Sequence, residues 1–129
     1  MTLYDESTSS NNFSVGKNQS IIVDSGTSFI LMPEYALGNF TKYLESSMGI
    51  SCDDTDYVIE CTCSDTANFP SLNFTFDDKS YYIMPEDYIL YYNGTCYLEM
   101  MSGSGDSWIL GLNFFQSYYV VFDLDNLRV

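Results

Sequence analysis

The spacing of apolar and polar positions divides the chain at about residue 20. Residues 6–20 are rich in Ser and Asn, with Phe13 and Val15 as the one weak apolar pair. This predicts a loop with at most one short strand, so residues 1–19 read as a polar, partly ordered leader. Residues 20–129 read as a single folded domain. Ile21-Ile22-Val23 is a continuous apolar run, expected as a short strand buried on both faces. It delivers Asp24 into a turn that carries Gly26. Phe29-Ile30-Leu31-Met32 is a second such run. Pro33 then stands where the first helical residue is favoured. Leu37, Phe40, Leu44 and Met48 follow at spacings of three, four and four, which is one apolar stripe of a helix over about residues 34–48. Gly49 is placed to end that helix, and Gly38 weakens it slightly.

After Gly49 the period becomes two. Tyr57 to Cys61 reads as a strand. Leu72, Phe74 and Phe76 alternate with Asn73 and Thr75, predicting one dry face and one wet face. Asp77-Asp78 turns the chain into Ser80 to Met84, and Pro85-Glu86-Asp87 breaks it. Tyr88 to Tyr92 and Thr95 to Met100 flank Asn93-Gly94, a strong type I′ hairpin signal. Gly103-Ser104-Gly105 is a loop. Trp108-Ile109-Leu110 is a buried run ending at Gly111. Tyr118 to Phe122 is strand-like, and Asp123 to Asn126 is a turn. There is no internal repeat. The pattern predicts a mostly β domain of antiparallel sheets with one main helix.

Composition narrows the function classes. Twelve Tyr and nine Phe favour sheet over helix bundle, because large flat side chains fit a pleated surface. Eighteen acidic residues against four basic ones give a net charge of −14, which repels a phosphate backbone and disfavours nucleic acid or anionic membrane as partner. The same surplus suits an acidic compartment, where carboxylates are protonated near pH 3–4 and self-repulsion falls. The sequence has no His, so Ser-His-Asp, Cys-His and most zinc chemistry is excluded from within the chain. No metal site is expected. Carboxylates, Tyr and Lys are left for acid–base work.

The cysteines Cys52, Cys61, Cys63 and Cys96 fit two disulfides better than a zinc knuckle, and an oxidising compartment with them. Four cysteines allow three connectivities, all open at this point. Asn-x-Ser/Thr sequons begin at Asn12, Asn18, Asn39, Asn73 and Asn93, all candidate glycosylation sites of a secretory route. The start of the chain has no apolar signal core, and no run approaches the length of a membrane span. A secreted-looking body without a signal peptide is expected to be a fragment.

The chemistry centres on Asp24. A carboxylate delivered by an apolar strand must be hydrogen-bonded or paired, or its pKa rises. Ser25, Gly26, Thr27 and Ser28 supply hydroxyls and open backbone donors around it, which is what a positioned acid/base needs. A turn Asp that merely caps its own loop carries a similar string.

The order of the surrounding motifs decides between the two. Ile21 to Val23, Asp24 to Ser28, Phe29 to Met32 and a helix come first. Tyr57 to Cys61, Pro70 to Phe76, Pro85-Glu86-Asp87-Tyr88-Ile89-Leu90, Cys96, Trp108 to Gly111 and Tyr118-Tyr119-Val120-Val121-Phe122-Asp123 follow. This series resembles the C-terminal lobe of pepsin-family, cathepsin D-like aspartic proteases over roughly residues 20–129. The resemblance implies a pepsin-like acid-protease lobe and hydrolysis of polypeptide substrates by two aspartates that activate water, with no cofactor. Asp24 would be one of the two. Ser25 would tie the two lobes' loops together, Thr27 would bond the outer oxygen of Asp24, and Gly26 and Ser28 would line the cleft. Ile109, Leu110 and Gly111 would support the Asp24 loop. Cys96 would join Cys61 or Cys63, and Cys52 would take the one left.

The resemblance also marks departures. No second Asp-Thr/Ser-Gly occurs, so the partner aspartate would lie in an N-terminal lobe. Less of the lobe precedes Asp24 than in the family, and the chain stops at Arg128-Val129, so the lobe is expected to be truncated at both ends. Leu112 stands where many relatives have Asp. The implied location is secreted, lysosomal or vacuolar. Two rival readings are a homodimeric, retroviral-type protease pairing two copies of Asp24, and a non-catalytic lobe that binds peptides or proteins.

Overall fold

A computed structural model describes residues 1–4, 13–54 and 58–129. Strand β1 is Thr2–Tyr4, β2 is Ile21–Val23 and β3 is Ile30–Pro33. Helix α1 is Glu34–Met48. Strands β4, Cys52–Asp53, and β5, Ile59–Thr62, follow it, and then β6, Ser71–Phe76, and β7, Lys79–Ile83. The short helix α2, Pro85–Tyr88, leads into β8, Ile89–Tyr92, β9, Thr95–Leu98, and β10, Met100–Gly103. Strand β11, Trp108–Leu110, and helix α3, Leu112–Ser117, complete the order. The fold is mostly β, as the alternating pattern requires.

The strands form three sheets, ordered β1-β6-β7, β10-β3-β11-β2 and β4-β5-β9-β8. The first and third are antiparallel throughout. The second is mixed, with β10 parallel to β3 and β11 parallel to β2, while β11 runs antiparallel to β3. Its inner strands are apolar runs because both faces are covered. Ile30, Met32, Trp108 and Leu110 are buried in one core with Phe40 and Leu44 of α1 and with Leu72 and Phe74 of β6.

Helix α1 has the predicted bounds. Ala36, Phe40 and Leu44 are its buried positions, while Leu37 and Met48 are half-buried at the stripe's margins. Gly49 ends it in the left-handed region, φ 69°, with its N–H on the Leu44 carbonyl. The Asn93-Gly94 hairpin also holds: Tyr92 pairs with Thr95, and both loop residues have positive φ, as type I′ requires. Asp77-Asp78 makes the same kind of turn between Phe76 and Lys79.

Several expectations need correction. Pro33 is the last residue of β3 and the N-cap of α1, with ψ 143°, not the first helical residue. Strand β2 is buried on one face only, since Ile22 is 50% exposed; it is an edge strand. The second strand set starts at Ile59 and reaches Thr62, and Tyr57 lies outside the described residues. Asn73 is not on a wet face: it is buried in β6, paired with Thr2 of β1 and Tyr82 of β7, and its side-chain oxygen has no hydrogen-bond partner among the described residues. Tyr88 belongs to α2. The run Thr95 to Met100 is not one strand, because the chain leaves one sheet at Glu99 and enters another. Tyr118 to Phe122 pairs with no strand among the described residues.

The disulfides join Cys52 to Cys61 and Cys63 to Cys96. Cys61 stands opposite both Cys52 and Cys96 in the ladders, which is why position alone leaves the pairing open. Of the sequons, Asn18, Asn39 and Asn93 are exposed, Asn73 is buried, and Asn12 lies outside the described residues. Burial removes Asn73 as a glycan acceptor in the folded lobe.

Candidate active site

Strand β2 ends at Val23, and the Asp24 N–H donates to the Leu110 carbonyl at 3.0 Å. The chain then turns, with Thr27 N–H on the Asp24 carbonyl at 3.3 Å. This brings two donors to the carboxylate. The Gly26 N–H donates to Oδ1 at 2.9 Å, and the Thr27 hydroxyl donates to Oδ2 at 2.7 Å. A Cβ at Gly26 would sit only 3.2 Å from Oδ1, so the smallest residue fits best. The carboxylate is half-exposed, and Ser25, Gly26 and Ser28 are exposed around it. The Thr27 hydroxyl, and then the Gly26 N–H, hold the Asp24 carboxyl below the ordinary carboxylate range, and slight desolvation opposes them.

Strand β11 fixes this turn from behind. It threads between β2 and β3, so Ile109 is in register with Ile22 on one side and Leu31 on the other. Leu110 receives the Asp24 N–H, and the Leu112 N–H donates to the Thr27 carbonyl at 2.9 Å. Gly111 lies between these two bonds. A Cβ there would clash with the carbonyl oxygens of Thr27 and Phe29, so any other residue would push the two segments apart. The chain therefore brings Asp24 to Thr27 and Ile109 to Gly111 together. Ser25 and Ser28 bond none of them.

Trp108 anchors the start of β11. Its ring is buried edge-on to Phe74, and its backbone N–H donates to the Ser20 carbonyl at 2.9 Å. Gly16, φ 76°, lies so close to the indole that a Cβ would be 2.9 Å from the ring. A glycine in a polar stretch is the signal for this contact that the sequence pattern left unread. Asn113, Asp87 and Glu99 were also missed; they are linked by hydrogen bonds directly behind the loop. An open groove of about 1060 Å³ lies between α1 and β10, but none of residues 24–28 lines it.

The mostly β body, with a half-exposed aspartate held by two donors at the end of an apolar strand, is consistent with a pepsin-like lobe. The sequence model of the eukaryotic aspartyl protease family matches residues 1–129, and the chain belongs to that family. It is 34% identical to pepsin A of Bos taurus over 113 residues, which covers 84% of this chain and 29% of that protein. It is 35% identical to gastricsin of Homo sapiens over 115 residues, covering 84% of this chain and 28% of the relative. Gastricsin of Mus musculus matches at 33% over 114 residues. The chain thus spans less than a third of the length of these relatives. No helix among the described residues is long and apolar enough to cross a membrane.

Proposed function

We propose that this chain is the C-terminal lobe of a two-lobed aspartic endopeptidase and that Asp24 is one of its two catalytic acids. The observation that carries the reading is the Asp24 carboxylate itself, half-exposed yet bonded on both oxygens and clamped by β11. A second carboxylate brought against it would share one proton with it, and the pair would titrate as a unit. One carboxylate takes a proton from water as the oxygen attacks the peptide carbonyl. The other donates a hydrogen bond to the developing oxyanion. Collapse expels the amine, which leaves with the proton that the first carboxylate took from water. Ser25 would meet the partner loop, and Gly26 and Ser28 would line the cleft; the exposure of all three beside Asp24 supports this.

The exposed apolar residues support a second lobe. Ile22, Leu112, Tyr119, Val121, Leu124, Leu127 and Val129 are each 44% exposed or more, unusual for so many large apolar side chains in so small a lobe. We assign the protein to the secretory route, secreted or lysosomal, because both disulfides require oxidising conditions and the exposed Asn18, Asn39 and Asn93 are accessible acceptors. Asn39 and Asn93 stand on α1 and at a hairpin tip.

The pH–rate profile of the full-length protein on an unfolded protein substrate tests the mechanism. Two ionisations in the acid range and no burst of a covalent intermediate are expected. A profile rising through neutral pH, or an accumulating acyl-enzyme, would exclude the paired-carboxylate reading.

A further inference from the structure

Helix α3 begins directly after Gly111, so its first residue carries the amide that holds the Asp24 loop. The Leu112 N–H bonds the Thr27 carbonyl, and the Thr27 hydroxyl bonds Asp24. The next residue, Asn113, is completely buried. Its Nδ2 donates to the Asp87 carbonyl oxygen of α2 at 2.8 Å and to Glu99 Oε2 at 2.8 Å. Both neighbours are acceptors, which fixes the orientation of the amide. Its Oδ1 is buried with no partner among the described residues. An apolar side chain would fill the space without that penalty, so packing alone does not account for an asparagine here.

Glu99 is where the chain crosses between sheets. Its N–H donates to the Tyr88 carbonyl at 2.8 Å, and its own carbonyl accepts from the Ile30 N–H at 3.2 Å. Ile30 opens β3 immediately after Phe29, whose carbonyl crowds Gly111. One amide side chain thus ties together α2, the β9–β10 crossing and the start of α3, which all converge behind the Asp24 loop.

We infer that Asn113 is a positioning residue for Asp24: by anchoring α3 to Asp87 and Glu99, it holds the Leu112 N–H against the Thr27 carbonyl and so fixes the donor that orients the carboxylate. The inference rests on the reading of Asp24 as a catalytic acid. The ionisable groups that face Asn113 are Glu99 and Asp87. Ser117 donates to Asp87 Oδ2 at 2.6 Å and makes a second tie between α3 and α2. Tyr81 and Tyr118 pack on Phe114, and the Tyr88 hydroxyl is bonded to the Pro70 carbonyl. Strand β3 contributes no ionisable residue to the contact with α3.

The test uses the full-length protein with Asn113→Val, Asn113→Asp and Ser117→Ala. Three quantities are read: kcat and KM against pH, the thermal midpoint, and the Asp24 carboxyl titration by NMR. Asn113→Val is expected to lower kcat by between about tenfold and 10²-fold with KM little changed, as for a misplaced catalytic group. The lower apparent pKa of the carboxylate pair, followed at the Asp24 carboxyl carbon, should move up.

Asn113→Asp sets two acids against each other when ionised, but burial and the neighbouring Glu99 both raise the pKa of the new carboxyl, and once protonated it again offers one donor. Its activity relative to wild type should therefore recover toward acid pH, while that of Asn113→Val stays flat. Ser117→Ala removes only the second tie to α2 and leaves both Asn113 bonds, so it should lower the midpoint and reduce kcat by less than Asn113→Val does. A wild-type kcat and Asp24 titration in Asn113→Val would overturn the inference. So would an Asn113→Asp ratio that does not change with pH, which also decides the matter if Asn113→Val does not fold. If the wild type cleaves nothing, the protease reading fails separately, and the Asp24 titration in the variants still decides the positioning role.

Discussion

The two oxygens of Asp24 are held differently. Oδ1 takes a backbone N–H from Gly26, and Oδ2 takes a side-chain hydroxyl from Thr27. The hydroxyl can be removed without disturbing the backbone. Thr27→Val keeps the branched shape, so the Asp24 pKa should rise toward the ordinary carboxylate value, measurable by carbon-detected NMR titration. A depressed pKa also links folding to pH. Whatever Asp24 contributes to stability is present above its unfolded pKa of about 3.9 and is lost as pH falls through the lower folded value. Thr27→Val should shrink that acid-side loss, and an unchanged titration would show that the hydroxyl is not the main donor. The loop was readable in the sequence because Gly and hydroxyl residues crowd one aspartate after an apolar run. Asn113 was not readable: a lone Asn between Leu112 and Phe114 looks like a helix surface position, and only folding reveals that Asp87 and Glu99 enclose it.

At the scale of elements, local signals survived wherever they were self-contained. The stripe in α1, its glycine stop and the two type I′ turns need no distant partner to be recognised. Phe40 is fully buried at the centre of the stripe, so Phe40→Ala should cost about 3–5 kcal/mol in chemical denaturation, whereas exposed Lys42 should tolerate Ala. A loss under 1 kcal/mol would mean that α1 does not pack as described. Elements whose character depends on distant strands were misread. Asn73 alternates as a wet-face residue should, yet it is buried in a central strand, paired with β1 on one side and β7 on the other. Thr95 to Met100 is uniformly strand-like, but its two ends belong to different sheets. Cys61 faces two cysteines at once, a choice that register does not decide.

At the scale of the molecule, the mixed sheet exists to hold one turn. Strand β11 runs beside β2 and β3, and the residues on either side of Gly111 bond the two ends of the Asp24 loop. On the proposed chemistry the lobe would supply Asp24 as one acid of the two required. Family membership follows from the whole chain, and catalysis from what a second carboxylate would complete. The most direct test replaces that one acid in the full-length protein. Cleavage of acid-denatured haemoglobin should fall by at least about 10²–10⁴-fold in Asp24→Asn, with the thermal midpoint near that of wild type. Undiminished cleavage by Asp24→Asn would contradict the account.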